Sequence, residues 1–230
     1  MPFIIDRRIA PKALKRLESL DQVIPFMTEG ITYPAISGHP DIFFCVVDGG
    51  LIASECVSES ILRKLEDSGV NLVISAGNPT DIYPGSAIFN AVATDNYLIH
   101  RTDVTDKTVR ASCSEKQAIH VNQAYTRCNL FVPDERLWVT SDAGIYRTLI
   151  EKGFDALYVD PLPVMLSGFS HGFFGGCCGV YEDKILVNGA MKNLREEEIL
   201  CEKAEQLQLE IIELHPGPLQ DVGGLLFFKP

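Results

Sequence analysis

Short apolar runs recur along this chain, each followed by an Asp-x-x-Leu step and a second apolar run. The steps are Asp48-Gly49-Gly50-Leu51, Asp95-Asn96-Tyr97-Leu98, Asp134-Glu135-Arg136-Leu137 and Asp183-Lys184-Ile185-Leu186, at intervals of 47, 39 and 49 residues. The flanking runs, such as 42–47 before Asp48 and 137–139 after Asp134, are rich in Ile, Val, Leu and aromatic side chains. Two such runs around a turn dipeptide like Asp48-Gly49 predict a β-hairpin. The four Asp residues are therefore read as turn formers.

A helical pattern follows each hairpin. Ser58 is placed to cap a helix over 59–66, stopped by Gly69. Ser141 or Asp142 is placed to cap another over 145–152, stopped by Gly153. Residues 194–207 form the longest pattern, with apolar Ile199, Leu200, Ala204 and Leu207, and 105–116 form a shorter one. A strand pattern closes each unit, at 70–74, 118–121, 156–159 and 209–214.

The repeated unit is thus strand, strand, helix, strand, over about 38–75, 85–122, 124–160 and 171–214. The ends complete a fifth copy. Residues 217–230 supply its first strand. Residues 1–27 supply the strand 3–5, a helix over 10–20 with Pro11 in its first turn, and the strand 22–26. The prediction is a single α/β domain, a five-bladed pseudo-symmetric α/β propeller of ββαβ units closed by the two termini. Closure removes sheet edges. The competing architecture is a doubly wound α/β sheet, which also alternates strands and helices. It needs single strands between helices, and the recurring hairpin argues against it.

Composition narrows the function. The chain has 230 residues, 46% hydrophobic and 22% charged, with a formal net charge of −11. That length suffices for a sizeable core. The acidity disfavours nucleic acid and anionic membranes as partners and suits a small cationic ligand. No run approaches the roughly 20 apolar residues of a membrane helix. Seven Cys in no framework spacing, and a start without the basic segment of a secretory signal, point to a reducing cytoplasm.

A five-unit ring of this kind resembles the pentein superfamily: arginine deiminases, dimethylarginine dimethylaminohydrolases, agmatine deiminases, amidinotransferases and a non-catalytic ribosome anti-association factor. The likeness covers the whole chain as repeat architecture and extends to an uncharacterised bacterial branch. One shared detail is the Asn five residues before the turn Asp, Asn90 and Asn129 here. What the resemblance implies is guanidine chemistry. A Cys thiolate attacks the guanidinium carbon, a His moves the proton, and carboxylates hold the cation. His171, just ahead of the fourth hairpin, is the counterpart of the family His. The C-terminal segment around Gly223 and Gly224 has Leu225, Leu226 and Phe227 where the family nucleophile stands, and no Glu-Gly-Gly-Asp motif is present.

The segment 168–179 is the most unusual in composition, with five Gly, His171, Cys177 and Cys178. One reading puts His171 and one of the two Cys at the ring axis, as acid/base and relocated nucleophile; alternation along a strand lets only one thiol face it. The other reading makes the Cys small core side chains. His39 and Asp41 precede the first hairpin, and Asp81 and Asp221 hold similar positions in the second and fifth units. These four, with Asn90 and Asn129, are the candidate substrate-binding residues. His39, Asp41, His171 and a Cys show no metal-binding spacing, so no metal or other cofactor is expected. There is no Walker-type loop and no Gly-x-Ser-x-Gly elbow. Two functions remain: a binding protein for a small guanidine- or amidine-like cation, or a hydrolase or amidinotransferase using His171 with Cys177 or Cys178. A homo-oligomer is compatible with either.

Overall fold

The chain turns each predicted hairpin into a small sheet and brings the sheets around one axis. In the computed structural model, which describes residues 2–228, the chain opens with β1 (Phe3–Asp6), α1 (Pro11–Glu18) and β2 (Val23–Phe26). The first unit is α2 (Pro40–Phe43), β3 (Phe44–Val47), β4 (Gly50–Ser54), α3 (Glu59–Asp67) and β5 (Leu72–Ser75). The second is β6 (Val92–Ala93), β7 (Tyr97–His100), α4 (Lys107–Ser112) and β8 (Gln117–His120). The third is α5 (Thr126–Asn129), β9 (Leu130–Asp134), β10 (Leu137–Thr140), α6 (Ala143–Glu151) and β11 (Ala156–Tyr158). The fourth is β12 (Cys178–Tyr181), β13 (Lys184–Val187), α7 (Glu197–Gln206) and β14 (Glu210–Glu213), and β15 (Leu226–Phe227) follows.

Five three-stranded sheets result, each with an antiparallel and a parallel pairing on its middle strand. In the first, Phe44 pairs with Ala53 across the hairpin, and Leu51 pairs with Leu72 after the helical crossover. A parallel return needs such a crossover, which is why a helix follows each hairpin. Middle strands β4 and β10 are buried along their whole length, so they read as continuous apolar runs rather than alternating ones.

The termini close the fifth sheet. Phe3 pairs antiparallel with Phe227 and parallel with Val23. The rings of Phe3, Tyr181 and Phe227 meet at centroid distances of 5.3, 5.1 and 4.7 Å, so the joint is packed as core. Inner strands touch in succession, β3 with β6, β6 with β9, β9 with β12 and β12 with β15. This is the five-unit α/β architecture, not the doubly wound sheet. Residues 229–230 of the expected fifth unit, and Met1, lie outside the described residues.

Caps follow the sequence in part. The Asp142 carboxylate accepts the amides of Gly144 and Ile145 at 2.7 and 2.8 Å and starts α6. Ser58 sits at the N-cap of α3, but its hydroxyl pairs with Ser60 instead. Gly69 and Gly153 end their helices at φ +80° and +84°.

The inner strands begin later than the apolar runs predict. Ile42 and Phe43 complete a helical turn that Pro40 starts, and Asn129 ends a similar turn in α5. Pro fits the first position of a helix, where its missing N–H costs nothing. Single turns at Gly85–Ala87 and Gly175–Cys177 do the same in the second and fourth units. These turns set the side chains just ahead of the inner strands on the ring axis. Among the described residues, no helix is long and apolar enough to cross a membrane.

Candidate functional site

Segments from four units meet at one buried polar cluster on the axis. His39 is the N-cap residue of α2 and Asp41 lies in its first turn. Cys128 comes from α5, Asn90 from the segment before β6, and Asp221 from the segment before β15. All five side chains are buried.

The Cys128 thiol donates to Asp41 Oδ2 at 2.9 Å. Asn90 holds both partners: its Nδ2 donates to the Asp41 carbonyl at 3.1 Å and to Cys128 Sγ at 3.2 Å, and its Oδ1 accepts the Cys128 amide at 3.1 Å. Asp221 is held by backbone, accepting the amides of Phe173 and Gly223 at 3.0 Å each. Its Oδ1 lies 3.8 Å from His39 Nδ1. His39 Nδ1 and Asp41 Oδ1 have no hydrogen-bond partner among the described residues. Buried polar atoms are ordinarily paired, so these two distinguish the cluster from the surrounding core.

The electrostatics agree. Burial pushes the Asp41 carboxyl up to about 6, and the neighbouring His39 and the Cys128 hydrogen bond only partly offset this. Burial, then the charges of Asp41 and Asp221, push the Cys128 thiol well up. Among the described residues, neither carboxylate forms an ion pair with Lys or Arg. His39 stands 3.8 Å from Asp221, and the charge of Arg127 reaches Asp41 without a direct contact.

Glycines make the room. A side chain at Gly176 would strike the Asp221 carboxylate. Gly223 has φ +70° and a Cβ there would land on His39. The Gly-rich stretch 168–179 thus serves the approach of Asp221 and its neighbours.

The Tyr33 and Tyr125 hydroxyls meet at 3.1 Å, and Tyr125 also meets Ser86 Oγ at 2.5 Å. Phe169, 53% exposed, packs its ring 5.8 Å from that of Tyr33. Burial, then the bond to Tyr125, push the Tyr33 hydroxyl up, and the Asp221 charge adds to this, which sets the aromatic group near the cluster. A separate cavity of about 150 Å³ runs between the inner strands of all five units, with none of the five cluster side chains in its lining. Arg127 lines it, and its guanidinium donates to the carbonyls of Gly175 and Cys178 at 2.8 and 3.0 Å.

The residues expected from sequence divide into groups. His39, Asp41, Asp221 and Asn90 come together. Asn129 is buried beside them in the chain but turns to its own unit, donating to the Tyr125 carbonyl at 2.8 Å and accepting from Ser141 Oγ at 3.2 Å. Asp81 is exposed. His171 is half-buried, with Nδ1 2.9 Å from the Gly172 carbonyl and its ring edge-on to Phe173. Cys177 and Cys178 pack in an apolar cluster with Phe174, Val187 and Leu219, and burial pushes both thiols up. Among the described residues no hydrogen bond joins His171 to either thiol. Cys128 is the residue that sequence reasoning passed over. Its one signal was its place directly before Asn129, at the edge of an inner strand.

Solved structures of similar fold bear on the site. The chain aligns with SxtG, an amidinotransferase of saxitoxin biosynthesis from Microseira wollei, at 12% identity over 88% of this chain and 76% of that one, with a TM-score of 0.54. It aligns with the agmatine deiminase of C. jejuni at 12% identity over 87% and 72%, with a TM-score of 0.53. These are guanidine-modifying enzymes, and at such identity they show the fold alone. No curated protein matches the chain in sequence. The profile of the Family of unknown function (DUF6873) matches residues 4–226, so the chain has the pentein fold and belongs to that family.

Proposed function

We propose that this protein binds a compact organic cation, of guanidine or amidine type, at the axis of its ring. Asp221 and Asp41 supply the negative charge, and Tyr33, Tyr125 and Phe169 form the aromatic entrance beside them. One observation carries this reading: two buried carboxylates share the axis without an Arg or Lys partner among the described residues, and one of their oxygens is orphaned. An uncompensated buried charge is costly, and a bound cation removes that cost. A planar guanidinium also suits a site that joins carboxylates to aromatic faces. The absence of a Cys at Leu225 and Leu226 favours binding without turnover. Seven unpaired thiols suit a reducing cytoplasm.

Calorimetric titration with methylguanidine and acetamidine, against urea as the neutral analogue, tests this. Both cations bind, urea does not, and Asp221→Asn weakens both at least about tenfold, the scale of one charge-assisted hydrogen bond. Equal response to urea and methylguanidine refutes it. The fold shared with the amidinotransferase and the deiminase supports an alternative, an enzyme working through His171 with Cys177 or Cys178. Release of ammonia or urea from a guanidine substrate, lost in His171→Ala, would establish that alternative.

A further inference from the structure

The inner half of the axial cluster has the composition of a metal site. His39, Asp41 and Cys128 each offer one ligand atom, and these atoms all lie within 4.8 Å of one another. The three come from two different units, and Cys128 and Asp41 are 87 residues apart in the chain, so no sequence spacing announces them. We infer that His39, Asp41 and Cys128 form a three-ligand centre for a borderline-soft divalent ion of the zinc type.

The donor set selects the ion. Thiolate, imidazole and carboxylate together suit zinc, whereas calcium and magnesium take oxygen alone. The geometry is close to what such an ion needs. With bonds of about 2.0–2.3 Å, tetrahedral ligand atoms stand roughly 3.5 Å apart. The Cys128–Asp41 pair, at 2.9 Å, opens slightly to admit the ion. An orphaned atom supplies an observation independent of the spacing. Asp41 Oδ1 sits on a side chain only 1% exposed and has lone pairs with no partner among the described residues.

Charge balances as well. The thiol proton that now lies between Cys128 and Asp41 leaves to solvent, and the resulting thiolate with the Asp41 carboxylate neutralises a doubly charged ion. Asp221 stays outside the ligand set, 3.8 Å from His39 Nδ1 and held by two backbone amides. That is the place of an outer carboxylate that orients a metal-binding imidazole. Three protein ligands leave one position for water, the pattern of reactive rather than structural zinc. Asp41 is common to this centre and to the organic-cation reading, in which Asp221 keeps its charge, so the two readings are separated by their probes.

Cobalt(II) titrated into chelator-treated protein reads the centre directly. One equivalent binds, with the intense visible bands of a four-coordinate ion and a thiolate-to-cobalt charge-transfer band, and zinc displaces it. Cys128→Ser abolishes the charge-transfer band and weakens zinc at least about 100-fold. Asp221→Asn, as a positioning residue, keeps the band and weakens zinc roughly 10-fold. Cys201→Ser, at the exposed thiol, leaves both unchanged. A wild-type chain that binds no stoichiometric cobalt, or binds it without the thiolate band, overturns the inference, and this result needs no variant to fold. Methylguanidine titrated into the same metal-free protein reads the organic-cation site by itself, so the failure of either reading is seen separately.

Discussion

His100 ends β7 with both ring nitrogens engaged inside the protein. Its Nε2 lies 2.8 Å from the Ala124 carbonyl and its Nδ1 2.8 Å from Thr105 Oγ1. A carbonyl only accepts, so Nε2 carries the proton and Nδ1 accepts from the Thr105 hydroxyl. Burial depresses the imidazole from 6.5 to about 4, and the bond to Ala124 only partly offsets this. Between those values the unfolded chain binds the proton and the folded chain does not. Stability is therefore complete above about pH 6.5 and falls as pH falls toward 4. At about 1.4 kcal/mol per unit, the loss is on the order of 3 kcal/mol, a large part of the roughly 5–15 kcal/mol that holds a domain together. Asp41 acts with the opposite sign. Its raised value means that stability falls as pH rises from about 4 to about 6. The comparison must therefore be made against a variant that keeps Asp41. Urea unfolding of the wild type and His100→Gln, followed by the single buried Trp138, supplies it at pH 7, 6, 5 and 4. The gap between the two proteins shifts by about 3 kcal/mol toward the variant across that range. Curves that stay parallel within about 0.5 kcal/mol would refute the reasoning, since they would mean His100 is protonated in the fold as readily as in the open chain.

Three further outcomes follow from the geometry. Gly223→Ala places a methyl on His39 at a positive φ, and combines a left-handed penalty of about 1–2 kcal/mol with overpacking of about 1–3 kcal/mol; a thermal melt drops accordingly and methylguanidine binding is lost. Phe3→Ala removes the ring that joins the two chain ends, fully buried between Tyr181 and Phe227, and lowers stability by about 3–5 kcal/mol in urea. Iodoacetamide mapped by mass spectrometry labels exposed Cys201 first, while buried Cys177 and Cys178 react only as the chain unfolds; rapid native labelling of either would place it at an open site.

Much of the architecture was readable because hairpins and helices are written locally. The Asp-x-x-Leu steps mark turns, and the alternation of short apolar runs with capped helical stretches marks ββαβ units. Asp142 as a cap and Gly69 and Gly153 as stops are all choices a few residues can make. Even the fifth unit could be inferred, since the first 27 residues supply what the last ones lack. In the first unit the apolar run begins two residues ahead of the inner strand, because an apolar run looks alike in a strand and in a buried turn. Only the packing at the axis showed that Ile42 and Phe43 finish a helical turn.

The site divides in the same way. His39, Asp41 and Asp221 stand out because each is a polar residue just ahead of an apolar inner strand, and Asn90 stands out only as a detail shared with the pentein superfamily. Cys128 does not, because a thiol in an apolar context is usually core, and here its partners Asp41 and Asn90 are 87 and 38 residues away in the chain. Cys177 and Cys178 drew attention by standing among glycines, yet those glycines make room for the Asp221 side chain. Periodicity in a chain reports the shape of one unit, and so repeat, helix caps and closing termini could be derived from residue order alone. Which side chains share a few ångströms at the centre depends on the rotation of each unit about the axis and on the single turns before the inner strands. Those are set by packing between units, and only the folded ring brings the residues into one place.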